Sequence, residues 1–152
     1  MQNRLKNKNT INPDVWKAVG HLQKAIAAGG VDPKLLALVH LRASQINSCS
    51  ACVYASVAGG KKAGDTDERL HNVAAWREAP FYTDAERAAL ALAEAATRLQ
   101  DGAQGVTDEI WEEVNTHFTE EQIGAINLGI ALTNFFNRIN RTIEEPAGQS
   151  WG

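Results

Sequence analysis

The chain has 152 residues, 44% of them hydrophobic and 22% charged, and its 15 Lys and Arg against 18 Asp and Glu leave a formal net charge of −3. This size and apolar content describe one ordinary domain, 1–152, able to bury about two-thirds of its unfolded surface without cross-links. Charges of both signs are mixed along the chain, which excludes a basic face for nucleic acid, and no stretch reaches the ~18 uninterrupted apolar residues of a membrane span.

The opening residues 1–11 form a polar segment with no apolar secretory stretch, so the expected location is the cytoplasm. Asn12 and Pro13 then offer an N-cap and first residue for a helix running to Gly29-Gly30. Its buried stripe is expected at Val15, Val19, Leu22 and Ile26, three or four apart, with His21 beside it at the surface. Asp32-Pro33 starts a second helix in the same way. Leu35, Leu36, Leu38, Val39, Leu41 and Ile46 make it apolar on much of its circumference, which predicts a central position.

This helix leads into Cys49-x-x-Cys52, both cysteines of the chain. Such a pair can close a small disulfide ring, supply half a zinc site, or simply pack, since free cysteine is among the most buried residue types. Ser48 is the expected N-cap, with Cys49 as first helical residue and Cys52 one turn on. At a helix start, unpaired N–H groups and the positive dipole end favour thiolate, and a cysteine pKa can fall from about 8.5 to roughly 3.5–7.5. A reducing compartment makes a catalytic or metal-binding pair the more common case there. The cysteine helix is expected to run toward Gly64 and to end or loosen at Gly59-Gly60.

Three capping boxes announce later helices: Asp65 with Glu68, Thr83 with Glu86, and Thr119 with Gln122. The first carries Leu70, Val73, Ala74 and Trp76 and stops before Pro80. The second, from Asp84 to about Leu99, is alanine-rich and allows a neighbour to approach closely. A shorter helix after Thr107 should turn Ile110, Trp111 and Val114 inward. The last, Glu120 to about Ile143, bears Ile123, Ile126, Leu128, Ile130, Leu132, Phe135, Phe136 and Ile139, enough for two buried faces, of which one can be a subunit interface. The tail, 146–152, reads as coil. No period-two alternation occurs, so the fold class is all-α with six to seven helices and no sheet.

The run Leu41-Arg42-Ala43-Ser44-Gln45-Ile46-Asn47 before the cysteines, with Lys62-Ala63-Gly64, Ala74-Ala75-Trp76-Arg77-Glu78 and the segment from Ala85 to Glu94, resembles the alkylhydroperoxidase AhpD-like branch of the carboxymuconolactone decarboxylase family over roughly residues 13–142. The resemblance implies an AhpD-like helical bundle assembling into trimers or hexamers, and a thiol-disulfide peroxidase or reductase. It implies that Cys52 attacks a small peroxide or disulfide and that Cys49 resolves the oxidised product, with no cofactor and with a reducing protein or small thiol of unspecified identity as partner. Family members usually place a glutamate twelve residues before the first cysteine and a histidine four after the second, as a proton relay. Here those places hold Ala37 and Ser56.

Alanine transfers no proton, and general acid-base catalysis is worth typically 10²- to 10⁴-fold. Ser56 can hydrogen-bond a thiolate or hold a water but is no base at neutral pH. Substitutes are His40, one turn beyond Ala37; Glu94, expected to be buried among alanines with its pKa raised; and His71. Against the redox reading stand a catalytically weak oligomeric binding or scaffold protein, motivated by Ala37 and Ser56, and a zinc site completed by histidines or another subunit. Lactone decarboxylation fits less well, because that chemistry uses no cysteine pair.

Overall fold

The structure, a computed structural model, describes residues 2–5 and 13–149. Its helices are α1 (Pro13–Ala28), α2 (Pro33–Ile46), α3 (Ser50–Lys62), α4 (Asp67–Asn72) continued by a 3₁₀ turn (Val73–Ala75), α5 (Asp84–Thr97), α6 (Asp108–His117) and α7 (Glu120–Ile143). Among the described residues there is no strand, and no helix is long and apolar enough to cross a membrane. The expected Asn12 cap, most of the polar lead-in and the last three residues lie outside the described residues.

As its sequence predicts, α2 is central, packing on α3, α5 and α7. Its two sides feed two apolar clusters. Leu35 and Val39 join Ala89, Leu92, Ala93, Val114, Ile126 and Ile130 on one side. Leu38 and Leu41 join Leu70, Val73, Trp76 and Leu90 on the other. Burying each such leucine or isoleucine stabilises the fold by about 1.5–3 kcal/mol.

The caps at Asp32, Thr83, Thr107 and Thr119 form as their sequences dictate, and both Thr83-Glu86 and Thr119-Gln122 are reciprocal boxes. Asp65 differs. Thr66 is the N-cap of α4, while the Asp65 carboxylate accepts from Arg69 Nε at 2.6 Å, so ion pairing with Arg69 takes the side chain that a box with Glu68 would need. The Gly59-Gly60 pair does not end α3, which runs on to Lys62. A Cβ at Gly60 would lie 2.6 Å from Leu70 Cδ2, so glycine there lets α3 close onto a fully buried leucine, and packing outweighs helix propensity.

Three apolar expectations are corrected. Leu22 is 38% and Trp111 48% exposed, because α1 and α6 are outer helices with room to bury only one narrow stripe each. In α7 the second half turns polar residues inward: Thr133, Asn137 and Asn140 are buried while Phe135 is exposed and Leu132, Phe136 and Ile139 are half-buried. Asn137 faces Ser44 and Asn47 before the cysteines, and Asn140 faces Cys52 itself.

Candidate active site

The chain reaches the cysteines through a sharp reversal at the end of α2. Asn47 N–H donates to Ala43 O, Ser48 N–H to Gln45 O and Cys49 N–H to Ser44 O, which uses up the last carbonyls of the helix. Ser48 sits at φ 53°, a left-handed conformation rare outside glycine, asparagine and aspartate. It therefore cannot cap α3 as expected. Cys49 does so instead, in extended conformation, with its Sγ accepting from Cys52 N–H at 3.3 Å.

Cys49 and Cys52 are joined as a disulfide with Cα atoms 5.3 Å apart. The bond spans the cap and first turn of α3, so both sulfurs lie near the positive end of the helix, and Cys49 Sγ accepts one of its N–H groups. Cys49 is 1% exposed and Cys52 7%, which makes Cys52 the more accessible of two buried sulfurs.

A hydrogen-bonded lattice of amides holds α7 against this corner. Asn47 Nδ2 donates to the side-chain oxygens of both Asn134 and Asn137 at 2.8 Å, and Asn137 Nδ2 donates to the buried Ser44 Oγ at 3.1 Å. One turn further on, Asn140 Nδ2 donates to Cys52 Sγ at 3.2 Å. Sequence reasoning missed Ser44, Asn137 and Asn140. Their signal was present as a polar stripe at 133, 137 and 140, a helical period set inside a segment read for its hydrophobic residues.

Cys52 borders a cleft of about 270 Å³ whose wall includes Ala37, His40, Ser44, Ser56 and Thr133. The structure thus brings Ala37, His40 and Ser56 together beside Cys52, as their spacing on α2 and α3 predicts. An apolar cleft of about 340 Å³, formed by Ile26, Val31, Leu36, Leu132 and Phe136, shares the His40 wall. His40 approaches the backbone of Gly129 so closely that a Cβ there would lie 2.9 Å from Nε2, and that nitrogen is buried without a hydrogen-bond partner. Burial lowers the His40 pKa to about 4, so the ring is neutral at pH 7.

Glu94 is elsewhere. It is buried, as expected, but it accepts from Arg42 at 2.6 Å, Arg77 at 2.8 Å, Arg98 at 2.9 Å and Trp76 Nε1 at 3.1 Å. Burial alone would raise its pKa; the hydrogen bonds from Arg77, Arg42 and Trp76 outweigh that and hold it at about 2. The expected upward shift is therefore corrected: Glu94 is a permanent anion clamping α2 to α5. His71 is exposed on α4. Among the described residues no group of three or more His, Cys, Asp or Glu is arranged to hold a metal ion.

Among the described residues, seven α-helices around a cysteine pair bridged at a helix start, with a small cleft beside Cys52, define an all-α protein of AhpD-like fold. The chain belongs to the carboxymuconolactone decarboxylase family, whose model matches residues 13–95. It is 32% identical to the uncharacterized protein YdfG of Bacillus subtilis over 86% of this chain and 87% of that one. With the uncharacterized protein YnjA of Escherichia coli it shares 32% identity over 77% of this chain, which spans 63% of the length of that relative.

A solved structure from Agrobacterium tumefaciens, of a protein of unknown function described as a candidate antioxidant-defence protein AhpD, superimposes with TM-score 0.87 and 30% identity over 98% of this chain and 100% of that one. The debrominase Bmp8 superimposes with TM-score 0.78 and 25% identity over 92% of this chain and 74% of its own. The family thus includes enzymes, and none of these likenesses assigns a substrate to this chain.

Proposed function

We propose that the protein is a thiol-disulfide oxidoreductase that reduces peroxides in the alkylhydroperoxidase manner. The observation that carries this reading is the bridged Cys49–Cys52 pair at the start of α3, with an amide donor on Cys52 Sγ and a cleft beside it. In the reduced protein the helix-start N–H groups and Asn140 Nδ2 favour the Cys52 thiolate. It attacks one peroxide oxygen; the O–O bond breaks, Cys52 becomes a sulfenic acid, and the departing alkoxide takes a proton. Cys49 then attacks Cys52 Sγ, the S–S bond forms, and hydroxide leaves as water. The peroxide gains two electrons, and an external dithiol returns them to the pair.

His40 and Ser56 stand where the proton handling belongs. With the pair oxidised, burial alone sets the lowered pKa of His40, whereas a Cys52 thiolate in the shared cleft would pull it upward and make the ring a better proton carrier. Assembly into a trimer or hexamer belongs to the same reading, supported by the exposed Trp16 and Phe135 on α1 and α7. A small organic peroxide suits the apolar cleft that shares the His40 wall.

The reduced protein treated with one equivalent of cumene hydroperoxide is expected to show a Cys49–Cys52 disulfide by mass spectrometry, and a Cys49→Ser variant a sulfenic acid at Cys52. If neither species forms, the redox reading is wrong. A scaffold with feeble catalysis remains the second reading, favoured by the position of Ala37 and Ser56 in the wall beside Cys52. Ala37→Glu with Ser56→His should then raise peroxide turnover by about 10²-fold or more. High turnover that the double substitution leaves unchanged would remove the case for a crippled relay.

A further inference from the structure

Cys49 borders a pocket that shares no lining residue with the Cys52 cleft. About 290 Å³ in volume, it is bordered by Ser48, Cys49 and Ser50 at the start of α3, by Asn140 of α7, and by Glu145 just past the end of that helix. Glu145 reaches it through an unusual helix end. Glu144 lies at φ 59°, left-handed without being glycine, and Glu145 N–H folds back to donate to Asn140 O at 3.0 Å. Ser48 and Glu144 are the two non-glycine residues of positive φ among the described residues, and both border this pocket. Such conformations gather at functional sites, where neighbouring structure holds them in place.

The reversal buries a carboxylate. Glu145 is 4% exposed; one oxygen accepts from Asn3 Nδ2, and the other, Oε1, is buried with no partner among the described residues. An ionised carboxylate oxygen left without a donor is costly, which argues for a partner that appears at another stage. The charged groups around it are few. Arg4 is held by Glu144 at 2.6 Å and by Thr142 O at 3.1 Å, and Arg141 borders the pocket from α7. Cys49 is the group on this wall whose protonation must change when the disulfide opens and closes.

We propose that Glu145 is the proton acceptor and donor for Cys49, so that the two sulfurs exchange protons through separate pockets. This rests on the redox reading above. As the disulfide closes, the Glu145 carboxylate takes the Cys49 thiol proton and Cys49 Sγ attacks Cys52 Sγ. The S–S bond forms, the bond from Cys52 Sγ to its leaving group breaks, the departing hydroxide or thiolate takes a proton from the Cys52 cleft, and the proton on Glu145 leaves to water in the Cys49 pocket. When an external dithiol reopens the pair, the same carboxyl returns a proton to Cys49.

The test does not depend on peroxide turnover. In a Cys52→Ser protein the lone Cys49 is titrated by thiolate absorbance at 240 nm, with Glu145 intact and with Glu145→Gln. Removing a neighbouring negative charge should lower the Cys49 midpoint by about one unit or more. In the native pair, closure after mixing with diamide, followed by loss of free thiol, should slow by about 10²-fold in Glu145→Gln. Glutamine can still accept from Asn3, so the fold should hold; if it does not, Glu145→Asp decides, because a retained carboxylate should restore closure in part. An unmoved Cys49 midpoint together with unchanged closure overturns the proposal even where peroxide reduction is found. A moved midpoint in a protein inert to peroxides overturns only the peroxidase reading.

Discussion

Asn140 on α7 donates its side-chain amide to Cys52 Sγ on α3 across 88 positions of sequence. A hydrogen bond to a charged acceptor contributes roughly 1.5–3 kcal/mol, more than one to the uncharged sulfur of a disulfide. The bond should therefore strengthen as the pair is reduced. Asn140→Leu is expected to raise the Cys52 thiol pKa by one to two units or so and to slow its alkylation at pH 7 about tenfold or more, read with Cys49→Ser in the background. Equal alkylation rates with and without the amide would show that Asn140 only fills space.

The buried ring of His40 makes stability depend on pH in a defined window. Its folded pKa of about 4 lies below the ordinary 6.5, so between those values the unfolded chain binds the extra proton. Stability is complete above pH 6.5 and falls as pH drops toward 4, by on the order of 3 kcal/mol. Urea unfolding of the oxidised protein at pH 7 and pH 4.5 should show the loss. His40→Gln, which cannot titrate, should flatten the difference, and an identical slope in both proteins would contradict this account.

Glu94 predicts a second, lower window. Its pKa is held at about 2, below the ordinary carboxylate value, so its contribution is present above about pH 4.5 and lost as pH falls toward 2. Glu94→Gln leaves Arg42 nearly buried without its anion, a change that costs about 3–5 kcal/mol at neutral pH. The gap in melting temperature between the variant and the native protein should narrow in acid. A variant as stable as the native chain at pH 7 would mean that Arg42 finds solvent easily.

What could be read without coordinates was local. The caps at Asp32, Thr83, Thr107 and Thr119, the spacing of leucines along α2 and the run of alanines in α5 depend on neighbours three or four positions away, and those elements lie where they were expected. Cys49, Cys52, Ala37, His40 and Ser56 share one corner for the same reason, since α2 and α3 follow each other through a short turn. Glu94 was mistaken because its partners Arg42 and Arg77 come from other elements, and a carboxylate's pKa depends on what faces it more than on what precedes it.

The inward turn of Asn137 and Asn140, the cap taken by Cys49 from a left-handed Ser48, and the folding of Glu145 beneath the end of α7 were decided only by tertiary structure. The first depends on contacts between segments roughly 90 residues apart in sequence, as the Asn137–Ser44 and Asn140–Cys52 bonds show, and the last on Asn3, 142 positions away. Periodicity records which face of a helix differs from the rest. It does not record whether the helix turns that face toward solvent, a leucine or a sulfur, and that choice belongs to the packing of the whole chain.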